Sequence, residues 1–127
     1  MSYTKHRSEE SAEDYLETIL ILSQKLPVVR SIDIAHEMSF SKPSVSVAMK
    51  NLRGSECITT SKEGYINLTE KGRAIAEAIY ERHTTISEWL IRIGVDPEIS
   101  KADACKMEHD MSPESFEAIK NYLKENR

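Results

Sequence analysis

No apolar run in this chain approaches the roughly 18 residues that a membrane-spanning helix needs. No secretory leader is expected either, since the opening lacks the required apolar stretch. Cysteine is scarce. Cys57 and Cys105 are too few to staple a chain of 127 residues as a secreted disulfide scaffold, so a cytoplasmic setting is the expectation. The aromatics are one Trp, five Tyr and two Phe, so any core is mainly aliphatic. Internal repeats and low-complexity tracts are absent. An excess of positive charge is missing too. The chain has 17 basic and 21 acidic residues, a net charge of -4, whereas a typical nucleic-acid binder is basic overall.

What is present is an ordinary globular balance, 39% hydrophobic and 30% charged, of a size for one compact domain or two small ones. The charge is segregated. From Ser41 to Lys62 stand Lys42, Lys50, Arg53 and Lys62 against the single acid Glu56. The surplus acid lies in the first helix and the C-terminal half.

The fold class expected is mainly α, with a small β-hairpin. Ser11 to about Lys25 reads as a helix, with Ala12, Tyr15, Leu16, Ile19, Leu20 and Leu22 on one face and Pro27 beyond its end. The polar N-terminus before it is expected to fray. Ser31 is the expected cap of a short second helix burying Ile34, Ala35 and Met38. After a turn at Met38–Phe40, Ser41 caps a third helix, with Pro43 in its first turn and Gly54 as its stop. Its apolar stripe is Val45, Ala48, Met49 and Leu52. Its other face carries Pro43, Ser46, Val47 and Lys50.

Cys57–Thr60 and Tyr65–Leu68 flank a Gly-containing tip and read as a hairpin. A hairpin after helix-turn-helix is a wing. Thr69 then caps a long helix to about Ile93, with Gly94 as its stop and Ile79, Ile86, Leu90 and Ile93 as its buried stripe. Val95-Asp96-Pro97 reads as a linker, Ser100–Met111 as a fifth helix, and Ser112-Pro113-Glu114 as the start of a sixth.

The third helix meets the needs of a DNA reader. Its docking face is apolar, and its other face is small, polar and cationic. Ser41, Lys42, Pro43, Ser44, Ser46, Val47 and Lys50 are the candidate contacts, with Lys62 at the wing tip reaching a phosphate or the minor groove. A plain surface helix, or a winged unit that binds protein, is the alternative.

Metal-type donors surround this reader. Cys105, Glu108 and His109 are spaced i, i+3, i+4, which on a helix brings them within an arc of about 100°. Such a set suits a borderline divalent ion. They also read as a solvated Glu–His pair beside a buried cysteine. His83 falls within the apolar stripe of the long helix and must find a partner, either a metal or a carbonyl or carboxylate. Asp14 and Glu17 lie on the back of the first helix, where a solvated acidic face is the simple reading. Ile21 on that same back hints that something covers it. Cys57 reads as a small buried hydrophobe.

The segments Asp14-Tyr15-Leu16-Glu17, Ser41-Lys42-Pro43-Ser44-Val45-Ser46, Leu68-Thr69-Glu70-Lys71-Gly72, Arg82-His83, Ile93-Gly94-Val95 and Cys105-Lys106-Met107-Glu108-His109-Asp110-Met111-Ser112 together resemble the diphtheria-toxin-repressor family of iron- and manganese-dependent repressors. The resemblance runs from about Ser8 to the end. It implies a winged-helix DNA-binding domain over residues 1–74 and a helical metal-binding and dimerisation domain over 75–127. It implies a cytoplasmic homodimer, not an enzyme, that binds a palindromic double-stranded DNA operator when loaded with Fe(II) or Mn(II). It implies no membrane and no small-molecule substrate. By similarity the metal ligands are Asp14, Glu17, His83, Cys105, Glu108 and His109, bridging the first helix to the dimerisation domain.

Two features depart from the family's branches. The iron branch pairs Met with Cys at the positions of Asp14 and Cys105, and the manganese branch pairs Asp with Glu. This chain is a hybrid, which leaves Fe(II) and Mn(II) both open. Ser87 and Lys101 stand where the iron branch has ancillary ligands, so no full ancillary site is expected. In length and plan the chain resembles the short, manganese-type members. The alternatives are a winged-helix regulator or protein-interaction module not controlled by metal. A small metalloenzyme fits poorly, because no nucleophile–base pair or phosphate loop is evident.

Overall fold

The computed structural model describes residues 7–126. The expected fraying of the N-terminus falls on residues 1–6, outside that range. In chain order the elements are α1 (Arg7–Lys25), α2 (Ser31–Met38), α3 (Lys42–Gly54), β1 (Ile58–Thr60), β2 (Ile66–Leu68), α4 (Glu70–Arg92), α5 (Pro97–Met107) and α6 (Pro113–Glu125). They divide into two compact units, one over Arg7–Glu77 and one from Ala78 onward. The expected mainly α class with a winged helix-turn-helix is what the chain adopts.

In the first unit α1 turns Tyr15, Leu16, Ile19, Leu20 and Leu22 into a core with Ile34 of α2 and with Val45, Met49 and Leu52 of α3. Burial pushes the Tyr15 phenol above its ordinary value of 10.0, so it stays neutral. The Tyr15 ring meets Phe40 edge-on, 5.9 Å between centroids, and so fastens the turn between α2 and α3 to α1. Ser39 makes that turn in the left-handed region, φ 57°.

Ser31 is not the cap of α2. It is already helical, and the N-cap is Arg30. The Asp33 carboxylate accepts from the Arg30 backbone N–H at 2.9 Å, closing the first turn from inside. Ser41 caps α3 as expected, its Oγ accepting from Ser44 N. Gly54 is the last residue of α3 but does not adopt the left-handed conformation that stops a helix. That falls to Glu56, φ 64°.

β1 and β2 pair antiparallel in the register Ile58↔Leu68, Thr59↔Asn67, Thr60↔Ile66. Gly64, φ 84°, takes the tight corner of the loop between them. Two arginines hold the hairpin in place. Arg53 donates to Thr60 Oγ1 at 3.1 Å, and Arg30 donates to Tyr65 Oη while lying over its ring. Thr69 caps α4, accepting from Gly72 N and donating to Glu56 O.

In the second unit Ile86 and Leu90 of α4 pack on Ala104 of α5, with Trp89, Val95, Met107 and Met111 around them. Gly94, φ 106°, ends α4 beyond Arg92. Ile93 does not continue the buried stripe. It lies past the helix end and is 60% exposed.

The fifth helix is displaced from its expected span. It starts at Pro97, because the Asp96 carboxylate accepts from the N–H groups of Glu98 and Ile99. It ends at Met107. What reads as a linker is therefore a cap followed by proline at the first helical position. Ser112 caps α6 by accepting from Ser115 N. Asp96→Ala is expected to cost about 1 kcal/mol, read as a lowered thermal midpoint. An unchanged midpoint would contradict the cap.

Candidate metal centre and nucleic-acid interface

α4 carries Arg82 and His83, and the end of α5 carries the other donors of the second unit. Because α5 stops at Met107, only Cys105 lies on the helix. Glu108 is its C-cap, and His109 belongs to the turn that follows. Glu108 still has helical backbone angles, φ −61° and ψ −27°, and its N–H donates to Ala104 O, so helical backbone runs from Cys105 through Glu108.

The Glu108 side chain is completely buried. Its Oε2 lies 3.1 Å from His83 Nδ1, and His109 Nε2 lies 3.4 Å from its Oε1. Oε1 nevertheless has no hydrogen-bond partner among the described residues, since the His109 approach lacks the geometry of a bond. The Cys105 thiol, a His83 ring nitrogen and a Glu108 carboxylate oxygen lie within 4.8 Å of one another. Cys105 is exposed and His83 half-buried, so this group opens to solvent on one side.

An ionised carboxylate without full compensation is costly in such a place. A partner for Oε1 must be a proton, a donor or a cation. Two imidazoles and a thiol at that carboxylate are the donor set of a borderline divalent ion, so the residues present fit the metal that the resemblance implies. His83 and His109 each have further partners, which makes them anchored groups and not loose surface imidazoles.

Arg82 holds this donor turn in place, a contact that sequence reasoning missed. Its Nη1 donates to the backbone carbonyls of Glu108 at 2.9 Å and Met111 at 2.8 Å, and its guanidinium lies over the Phe116 ring. It clamps both ends of the donor turn to α4. Backbone acceptors leave no trace in a sequence, and the only available signal was the Arg82-His83 pairing itself.

In the first unit Glu17 is buried and Asp14 half-buried. Both have partners. The simple reading of a solvated acidic face therefore does not hold for Glu17.

The eight candidate DNA contacts are all exposed: Ser41 at the cap of α3, Lys42, Pro43, Ser44, Ser46, Val47 and Lys50 along it, and Lys62 in the hairpin loop. The stripe Val45, Met49 and Leu52 is buried behind them. Small side chains and two lysines on the free face allow close approach to a phosphate backbone. Cys57 is buried, its thiol near Ser55, and belongs to the core.

Residues 8–74 match the family model of the iron dependent repressor N-terminal DNA binding domain, and residues 69–127 match that of the iron dependent repressor metal binding and dimerisation domain. The transcriptional regulator MntR of Escherichia coli is 31% identical over 121 residues, covering 95% of this chain and 77% of that protein. An uncharacterized HTH-type transcriptional regulator of Methanocaldococcus jannaschii is 30% identical over 116 residues, covering 90% of this chain and 93% of that one. The structure of the manganese regulator SloR superposes with a TM-score of 0.79 at 29% identity, covering 89% of this chain. The chain spans about half, 53%, of SloR's length.

Proposed function

Because the chain belongs to the iron-dependent repressor family, DNA-binding transcriptional regulators that are not enzymes, we propose that it is a homodimeric repressor of metal homeostasis genes. It binds a palindromic operator when loaded with Fe(II) or Mn(II). The observation that carries this reading is the buried Glu108 carboxylate, set between two imidazoles and a thiol with Oε1 unpartnered. A winged-helix regulator indifferent to metal is not favoured, because the second half of the chain matches a metal-binding model.

The proposed ligands are Asp14, Glu17, His83, Cys105, Glu108 and His109. A bound divalent cation supplies the positive charge that offsets this carboxylate cluster. Glu108 holds the centre of the set, accepting from whichever imidazole N–H faces it. Arg82 keeps the turn that carries Glu108 and His109 from swinging away. Donors drawn from both α1 and the second unit make occupancy a restraint on the freedom of the DNA-binding unit. In a dimer that restraint sets the spacing of two α3 helices to one turn of DNA, about 34 Å.

We take the DNA-binding domain to run through residue 74 and the dimerisation domain from 75. No helix among the described residues is long and apolar enough to cross a membrane. We place the protein in the cytoplasm, with no small-molecule substrate.

The test is the affinity of anaerobic protein for an enriched duplex at fixed salt, with and without Mn(II) or Fe(II). Metal is expected to tighten binding at least tenfold, the scale of a typical allosteric coupling. Equal affinity with and without metal contradicts the reading. Arg82→Met tests the clamp. It is expected to weaken metal binding by about 10- to 100-fold, as loss of an orienting partner does, while the helical content stays the same. Unchanged metal affinity removes the positioning role.

A further inference from the structure

Pro43, Val47, Asn51 and Gly54 follow one another at intervals of three or four residues along the exposed face of α3, opposite the buried Val45, Met49 and Leu52. Val47 stands at the centre of that face and is 61% exposed. A β-branched apolar side chain gains nothing there from propensity or hydration. Asn51, one turn on, is exposed as well. Beyond it the row runs into open space, since a Cβ on Gly54 would meet nothing. Lys42 and Lys50 lie along one side of the row, and α3 contains no acidic residue.

We propose that this row reads A·T base pairs in the major groove. The Val47 isopropyl group packs on a thymine 5-methyl group. The Asn51 amide donates to adenine N7 and its oxygen accepts from the adenine N6 amino group. The proposal rests on the DNA-binding reading above and adds which bases it selects.

The thymine methyl is the one apolar group that base edges offer in the major groove, and asparagine matches the donor–acceptor pair of adenine. Val47 cannot hydrogen-bond. Over a G·C pair it would strip water from the guanine O6 or the cytosine amino group and return nothing, which penalises that pair. The two lysines beside the row supply phosphate contacts that carry no base preference. Charge therefore provides affinity along one edge, and the neutral row provides the choice.

The experiment uses the full chain, loaded anaerobically with Mn(II) or Fe(II), and a duplex enriched from random DNA. Thymines are replaced one at a time by deoxyuridine and adenines by 7-deazaadenine, and affinity is read by fluorescence anisotropy at fixed salt. Removing the methyl group under Val47 is expected to weaken wild-type binding about four-fold per thymine. Val47→Ala should weaken binding to the thymine duplex by a similar factor, keep the same salt slope, and no longer distinguish uracil from thymine. Asn51→Ala should likewise cease to distinguish 7-deazaadenine from adenine. Thermal melts of both variants, each changed at an exposed position, separate a lost contact from a lost fold.

A wild type indifferent to every deoxyuridine overturns the proposal and leaves the DNA-binding reading intact. So does a Val47→Ala variant that responds to deoxyuridine as wild type does. Failure to enrich any duplex overturns both.

Discussion

Glu108→Gln is expected to abolish the metal response while leaving the apo protein as stable as wild type or more so. The side chain is fully buried. Burying a carboxylate here is costly, since Oε2 meets His83 but Oε1 has no hydrogen-bond partner among the described residues. An amide of the same shape removes that cost. It also removes the carboxylate that the proposed ligands His83, Cys105 and His109 adjoin. A first ligand matters at least as much as an orienting partner, so metal affinity is expected to fall by about 100-fold or more.

The readout is thermal unfolding with and without Mn(II) or Fe(II). Wild type gains stability by mass action, about 2.7 kcal/mol when metal is present at a hundred times its dissociation constant. Glu108→Gln gains almost none under the same conditions. A variant that keeps the full metal-induced shift would remove Glu108 from the ligand set. A variant that unfolds without metal would mean that the buried charge is structurally compensated in the native protein.

Gly72→Ala carries the largest expected loss of stability. Gly72 lies in the first turn of α4, and its missing side chain faces the backbone of the residue that precedes β1. A Cβ at this position would overlap the Cys57 carbonyl oxygen. That oxygen accepts from Thr69 N, so it cannot move without breaking the junction between the hairpin and α4. Overpacking against backbone, unlike overpacking against a flexible side chain, has no inexpensive relaxation. A loss of about 3 kcal/mol or more is expected, in the range reserved for specific mechanisms of this kind. Gly54→Ala is the control, because a Cβ there meets nothing and the helix gains propensity. Urea denaturation of the two variants should move in opposite directions. A Gly72→Ala variant as stable as wild type would show that the hairpin can shift to accommodate it.

The legible parts of this fold were those where side chains carry the pattern. The apolar stripes of α1 and α3, the Ser41, Thr69 and Ser112 caps and the hairpin all follow from periodicity and turn chemistry. The failures came where neighbouring residues competed for the same helix start or stop. Asp96 looked like a linker residue, but its carboxylate captures two N–H groups and starts α5 three residues before the expected Ser100. Ser31 looked like a cap, but Asp33 reaching back to Arg30 N–H closes that turn. Gly54 looked like the left-handed stop, but Glu56 adopts that conformation.

The candidate site was legible to the same degree. Spacing on one helix proposes Cys105, Glu108 and His109 together, while α5 ends at Met107 and only Glu108 continues its helical backbone angles. His83 joins Glu108 across 25 residues of sequence, and no local pattern reports such a pairing. Family resemblance brought His83 into the set, whereas an apolar stripe containing an imidazole states only that a partner exists. The Arg82 clamp left no trace beyond the Arg82-His83 pairing, because its two acceptors are carbonyls. The exposed face of α3 was legible throughout, since an amphipathic helix declares both of its faces.

Control of DNA recognition by metal occupancy is the proposal on which the rest depends. It is tested most directly by selecting duplexes from random DNA with anaerobic protein in three arms, apo, Mn(II) and Fe(II), at one salt concentration. A palindrome is expected to be enriched only in a metal arm, with the better metal showing how the Asp14–Cys105 hybrid is used. Equal enrichment of the same sequence in all three arms would contradict the proposal.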